Sequence, residues 1–481
     1  MSIRCELTPS AQYLAGIVHL RKGEVVKNVA GRLVLVVAAL ALGGALVASG
    51  VADSGEENLA HGPHKVPGNV AVAFPLADGV RHVGGDNTST GGHVVVEGQR
   101  LYVGAYGLGL RIFDIADRDS PRLIGTYLPG VRADAVPDAA VFDGRHIATL
   151  NGTRRVSSTD LRTDKTEFLD VTDAANPKLL WTFVGAADGE AHNGDIVDVR
   201  RTWLASGGAG MNGLRIYDLR PLLGATPAAP ANLFRGDPVA LWSESPHRRG
   251  RPVGPAFTHT HDIEVYVDYP VEQADGSHRP RDIALVAEGG NYTDNNGDTG
   301  SILVVDITDP RNPVVLNRWL HARGAGHHPI RYHHEVQFLD GDRSLMLVTD
   351  EDMHNGCGGA GGVTALRVSG DLTEVTAELS EWFIPLGTPA PVCSVHVFSS
   401  AGSLVFFGAY NAGLQVVDYS DPRAPRLAAE YIAPGATSWG ALVREPYVYV
   451  GDMTRGLDVF ELDDPELLLK VKLKPKPLKL K

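Results

Sequence analysis

Short apolar runs that end in Asp, pass through a proline-bearing turn and resume as an alternating run ending in an aromatic residue recur along this chain. The full phrase reads GLRIFDIADRDSPRLIGTY from Gly109, FLDVTDAANPKLLWTF from Phe168, SILVVDITDPRNPVVLNRW from Ser301 and GLQVVDYSDPRAPRLAAEY from Gly413. Shorter copies begin at Gly213 (GLRIYDL), Gly362 (GVTALRV) and Gly456 (GLDVFEL). Period-two alternation between turn residues predicts strands, and Pro, which fixes φ and offers no ladder donor, belongs in the turn between them. Upstream of these phrases lies a further pair of runs, as in HVVVEGQRLYVGAY from His93, HDIEVYVDYP from His261, HEVQFLDGDRSLMLVTD from His334 and HVFSSAGSLVFFGAY from His396. A strand-rich repeat of roughly 40 to 60 residues is the signature of a propeller with one four-stranded blade per repeat.

The expected fold is therefore all-β, a seven-bladed β-propeller with blades beginning near residues 92, 137, 192, 259, 331, 393 and 437. The last unit stops after its third strand, GLDVFEL, while NVAVAFPL from Asn69 has the spacing of a fourth strand without a blade. Adding this N-terminal strand to the last blade would close the ring and remove its open edges. Three regions follow: 1–52, a signal peptide or N-terminal anchor; 66–466, the propeller; and 467–481, a basic, proline-bearing tail expected to be disordered. Long insertions at 220–256, 268–281, 289–300 and 351–361 interrupt the repeats.

The phrases GLRIFDI, SILVVDI and GLQVVDY, each with its D-x-x-x-P turn, resemble the LVIVD repeat of secreted or surface-attached β-propellers. That resemblance spans most of 66–466 and implies fold rather than activity, since one fold serves many functions.

Composition changes the picture in two respects. A formal charge of -13 over 481 residues argues against nucleic-acid binding, which requires a basic face. Arg21, Lys22, Lys27 and Arg32 precede the apolar run from Leu33 to Ala48, followed by small residues, which is the layout of an export signal. The expected location is secreted or cell surface, with membrane attachment only if that segment stays uncleaved. Cys357 and Cys393 are then expected to pair as a disulfide, Cys5 leaving with the signal.

Candidate chemistry gathers where first strands begin, because those ends converge at one mouth of a propeller channel. Aligned there are His93, Asp138, His192 with Asp195, His259 with His261 and Asp262, His333 with His334 and Glu335, His396, and Trp439. Imidazoles beside carboxylates suit a transition metal, and His192, His259, His261, His334, His396 and Glu335 are the expected ligand pool for iron, copper or zinc. The competing expectation is that such polar groups cap backbone or bridge blades. In GGNYTDNNGDTGS, Asp294, Asn296 and Asp298 have the alternate spacing of a calcium loop without the rest of an EF-hand. The insertion DEDMHNGCGGAGG brings Asp350, Glu351, Asp352, His354 and Cys357. No nucleophile elbow, phosphate-binding glycine loop or H-E-x-x-H pair occurs. Two functions remain: a binding module whose loop face engages a protein or glycan, and a metal-dependent oxidoreductase or hydrolase built on the His cluster.

Overall fold

In a computed structural model the chain is an all-β propeller. The described residues are 76–472, apart from 106–107, 129–135, 143, 153–164, 185–192, 198–199, 201, 206–213, 230–239, 243–258, 290–300, 321–331, 352–356 and 358–360. The export-signal run, His192 and the Asp294, Asn296, Asp298 loop lie outside them, and of His259 only the backbone is described.

Six four-stranded antiparallel sheets and one of five strands are present among the described residues. The simplest runs Val94–Glu97, Arg100–Ala105, Gly109–Asp114 and Arg122–Tyr127, with each strand paired to the next. Third strands such as Gly109–Asp114 and Ser301–Asp306 are buried on both faces up to their closing Asp, which explains why they read as continuous apolar runs.

The repeated Asp has a local task. Its carboxylate accepts the amide two residues on, at 3.0 Å for Asp114 to Ala116, 3.0 Å for Asp170 to Thr172, 2.9 Å for Asp306 to Thr308 and 2.9 Å for Asp418 to Ser420. That bond turns the chain out of the third strand before proline arrives.

Neighbouring sheets share buried clusters. Phe168 and Trp181 pack with Ile196 and Tyr217; Leu204 and Ile216 with Ile263 and Val286; Leu285 and Val304 with Val336 and Phe338. Leu347 and Trp382 meet Phe398 and Phe407, and Phe406 and Val416 meet Val443 and Phe460. Tyr449, Leu457 and Val459 then pack against Val94, Leu101 and Phe113, and Tyr102 and Ile112 against Ala148 and Leu169, so the contacts run in a cycle.

Three expectations change. Of the N-terminal strand read from Asn69, only its last residue is described, and Leu76–Asp78 lies along Arg426–Ile432. The segment paired with Gly456–Leu462 is instead Val80–Asp86, whose Gly84 and Gly85 mask the alternation that would mark a strand. The insertion at 268–281 is the tip of a long hairpin, His259–Glu272 with His278–Gly289, whose Tyr269 and Val271 pack on the neighbouring sheet and whose Glu272 amide bonds the Gly370 carbonyl. The tail begins as a helix, Pro465–Lys472, because Leu467 and Val471 bury against the sheets while Asp464 caps the Glu466 amide at 2.8 Å. No described helix is long and apolar enough to cross a membrane.

Candidate functional site

First strands line the channel, and their starts are tied from one sheet to the next by side chains that donate to the neighbour's backbone. Asn193 Nδ2 donates to the His261 carbonyl at 3.1 Å, His261 Nδ1 to the His334 carbonyl at 3.0 Å, and His396 Nδ1 to the Trp439 carbonyl at 2.9 Å. A carbonyl oxygen only accepts, so each of these imidazoles carries a proton on Nδ1, and in the neutral ring Nε2 is the lone-pair atom.

One layer deeper the direction reverses, and side chains accept the neighbour's amides. Asp138 takes the Ile196 amide at 2.5 Å, Asp195 the Val265 amide at 3.1 Å, Glu335 the Phe398 amide at 2.8 Å and Ser399 the Val443 amide at 2.9 Å. Tyr266 does the same through its hydroxyl, which accepts the Phe338 amide at 2.8 Å. Bridging between blades is therefore a real use of these polar positions, alongside any use in binding.

His261, His334 and His396 stand in a row. The ring centroids of His261 and His334 are 4.2 Å apart and those of His334 and His396 3.9 Å. All three are buried, at 0%, 2% and 2% exposure, rather than open to solvent. His333 points away from the row and packs edge-on to Trp319 at 5.6 Å, as strand alternation requires.

Facing the row is Glu351, fully buried. Its Oε2 lies 3.8 Å from His334 Nε2 and its Oε1 3.6 Å from His396 Nε2. The Tyr410 hydroxyl donates to Oε1. Glu351 is placed by its own amide, which bonds the Tyr332 carbonyl at 3.0 Å, while Asp350 takes the Tyr332 amide at 2.9 Å. Ligand atoms of His261, His334 and Glu351 all lie within 4.8 Å of one another. Two ligands at zinc-like bond lengths in a tetrahedron sit about 3.4 Å apart, so small shifts would gather these atoms around one ion.

The sequence signal for Glu351 was its place in the DEDMHNGC insertion, and for Tyr410 there was none. Cys357 and Cys393 are disulfide-bonded, joining that insertion to the segment that leads to His396.

Below the row a cavity of about 390 Å³ is lined by Asp138, Asp195, Asp262, Glu264 and Glu335, with His93, His334 and His396 in its wall. These carboxylates open on the cavity; Glu335 is buried and the other four are half-buried. Burial pushes Asp262 up to about 7, and burial with the Asp262 and Asp138 charges pushes Glu264 up to about 8. Asp195 and Glu335 are raised well above the carboxylate range by burial first and by neighbouring carboxylates second. Burial alone lowers His93 to about 4, against a bond to the Pro137 backbone that favours its charged form.

The LVIVD repeat family matches residues 91–128 and 401–432. No curated protein sequence matches the chain. Solved structures similar to it include BamB from Moraxella catarrhalis, at 12% identity and a TM-score of 0.42 over 78% of this chain and 83% of that one. The RRP9 WD40 repeats follow at 8% identity and a TM-score of 0.48, over 82% and 99%. The Pan2 WD40 domain of Neurospora crassa gives 9% and 0.46, over 80% and 96%.

Proposed function

We propose, for a β-propeller that carries LVIVD repeats, the function of an exported metal-binding module: a ring of seven blades, its last completed by Val80–Asp86, holding one iron, copper or zinc ion at the mouth. The convergence of His261, His334, His396 and Glu351 carries this reading. Imidazoles on rigid strands, with Nδ1 of His261 and of His396 anchored to a backbone carbonyl, are oriented as metal-bound histidines are. When bound, such an ion supplies Lewis acidity or redox chemistry, while the protein fixes its ligands and excludes water. The disulfide fits an oxidising compartment, and the insertions offer a face for a protein or glycan ligand. Calcium on Asp294, Asn296 and Asp298 belongs to the same proposal.

Metal analysis of the untagged mature protein by elemental mass spectrometry tests it. Near-stoichiometric iron, copper or zinc is expected in the parent and loss of that metal in His261→Ala and His334→Ala. Unchanged metal in both variants overturns the assignment. The cavity favours a second reading, a metal-dependent oxidoreductase or hydrolase, because His334 and His396 form part of its wall and a small substrate there would reach the ion.

A further inference from the structure

We propose that the channel holds a second divalent cation, on Asp262, His334 and Glu335, directly below the first and sharing His334 with it. This rests on the metal reading above and extends it from a mononuclear to a dinuclear centre. Two ligand sets, His261, His334, Glu351 and Asp262, His334, Glu335, each have their ligand atoms within 4.8 Å of one another, and His334 alone belongs to both.

In a regular strand, consecutive residues face opposite sides, so His334 and Glu335 could not both look into the channel. Pairing of His333–Leu339 slips between His333 and Val336, and pairing of the adjoining His259–Glu272 slips between Thr260 and Asp262. A bulge of this kind re-aims a side chain. With one at the same level on both neighbouring strands, Asp262, His334 and Glu335 all line the cavity.

Each carboxylate is steadied by a bond that leaves it acceptor capacity. Asp262 Oδ1 takes the Ile263 amide at 2.8 Å; Glu335 takes the Phe398 amide on Oε2 and Gln337 Nε2 on Oε1, at 2.8 and 2.5 Å. Hydrogen bonds to ligating carboxylates are what hold metal ligands in orientation. Two carboxylates and one imidazole make a harder donor set than the histidine row above, suited to manganese, iron or zinc. The cavity leaves the remaining coordination positions open to water or substrate. Asp138, Asp195 and Glu264 add further carboxyl oxygens around it, while Arg343, at the start of the strand Asp342–Asp350, and Arg444, at the end of Ser438–Arg444, are also in its wall. An imidazole that ligates two ions through its two nitrogens gives up its ring proton, which passes to solvent as the second ion binds.

The test is a titration of the metal-stripped, full-length protein with Mn²⁺ and with Zn²⁺, equivalents being counted by elemental mass spectrometry after desalting. The parent should take two equivalents. Asp262→Asn and Glu335→Gln, which each keep an acceptor oxygen for their backbone donor, should take one, and His261→Ala should keep only the lower ion. Saturation of the parent at one equivalent, with loss of that one in His261→Ala, overturns the second site and leaves the first standing. Two equivalents retained in both Asp262→Asn and Glu335→Gln overturn it as well. No uptake by the parent removes both.

Discussion

Glu351 accepts the Tyr410 hydroxyl while facing the Nε2 atoms of His334 and His396, and Tyr410 itself is held at φ 44° by backbone bonds of 2.8 and 2.9 Å with Ser438. A bulky residue in the left-handed region carries strain that persists only where its surroundings enforce it, and here the enforced result is one hydroxyl aimed at one carboxylate. Tyr410→Phe removes that donor from a buried acceptor and should cost roughly 1–3 kcal/mol, read from urea unfolding, with weaker metal retention in the same preparation. His93 gives a pH prediction. Its folded value of about 4 lies below the ordinary 6.5, so between these values the unfolded chain binds more protons and stability falls as pH drops. Melting curves from pH 7 to 4 should slope less steeply in His93→Gln; equal slopes would mean that His93 titrates normally. The sequence placed His261, His334 and His396 at one mouth because strand starts align across repeats. It named Glu351 only as one residue of an insertion that follows a second strand, and it did not mark Tyr410, in the turn before a third: both reach the row only through the packing of neighbouring sheets.

Elements meet at distances that leave no room for a side chain. A Cβ on Gly125, in the strand Arg122–Tyr127, would lie 1.7 Å from the Ala174 carbonyl oxygen, in the turn that joins Lys165–Asp170 to Lys178–Val184 of the next sheet. Gly125→Ala must therefore separate two sheets, and a loss of at least about 1–3 kcal/mol is expected in chemical denaturation. The insertion 351–361 is fastened differently, by the Cys357–Cys393 bridge across 36 residues. Cys357→Ser with Cys393→Ser should lower stability by up to about 4 kcal/mol on loop-closure grounds. It should also weaken metal retention, because the bridge joins the segments that supply Glu351 and His396; retention equal to the parent would show that the strands suffice. Strands with a repeated phrase were legible, since the Asp turn and the proline punctuate them. The hairpin tip at 268–281 and the helix Pro465–Lys472 were not, because what fixes them is contact with a neighbouring sheet rather than their own pattern.

Across the whole molecule the sheets are joined in a cycle of apolar clusters, and the described N-terminal strand Val80–Asp86 covers the edge of Gly456–Leu462. A chain beginning at residue 90 would leave that edge unpaired, and self-association is the expected outcome on size-exclusion chromatography. The clasps in the channel have a further consequence. Successive junctions use Asp138, Asp195, Tyr266, Glu335 and Ser399, each reaching for one amide of the next sheet. Because the grip differs from seam to seam in length and chemistry, the repeats are not interchangeable parts. A blade moved to another position would arrive with the wrong hand to hold, so repeats that share one phrase are locked into a single order, and any redesign that shuffles them must carry both sides of each seam together.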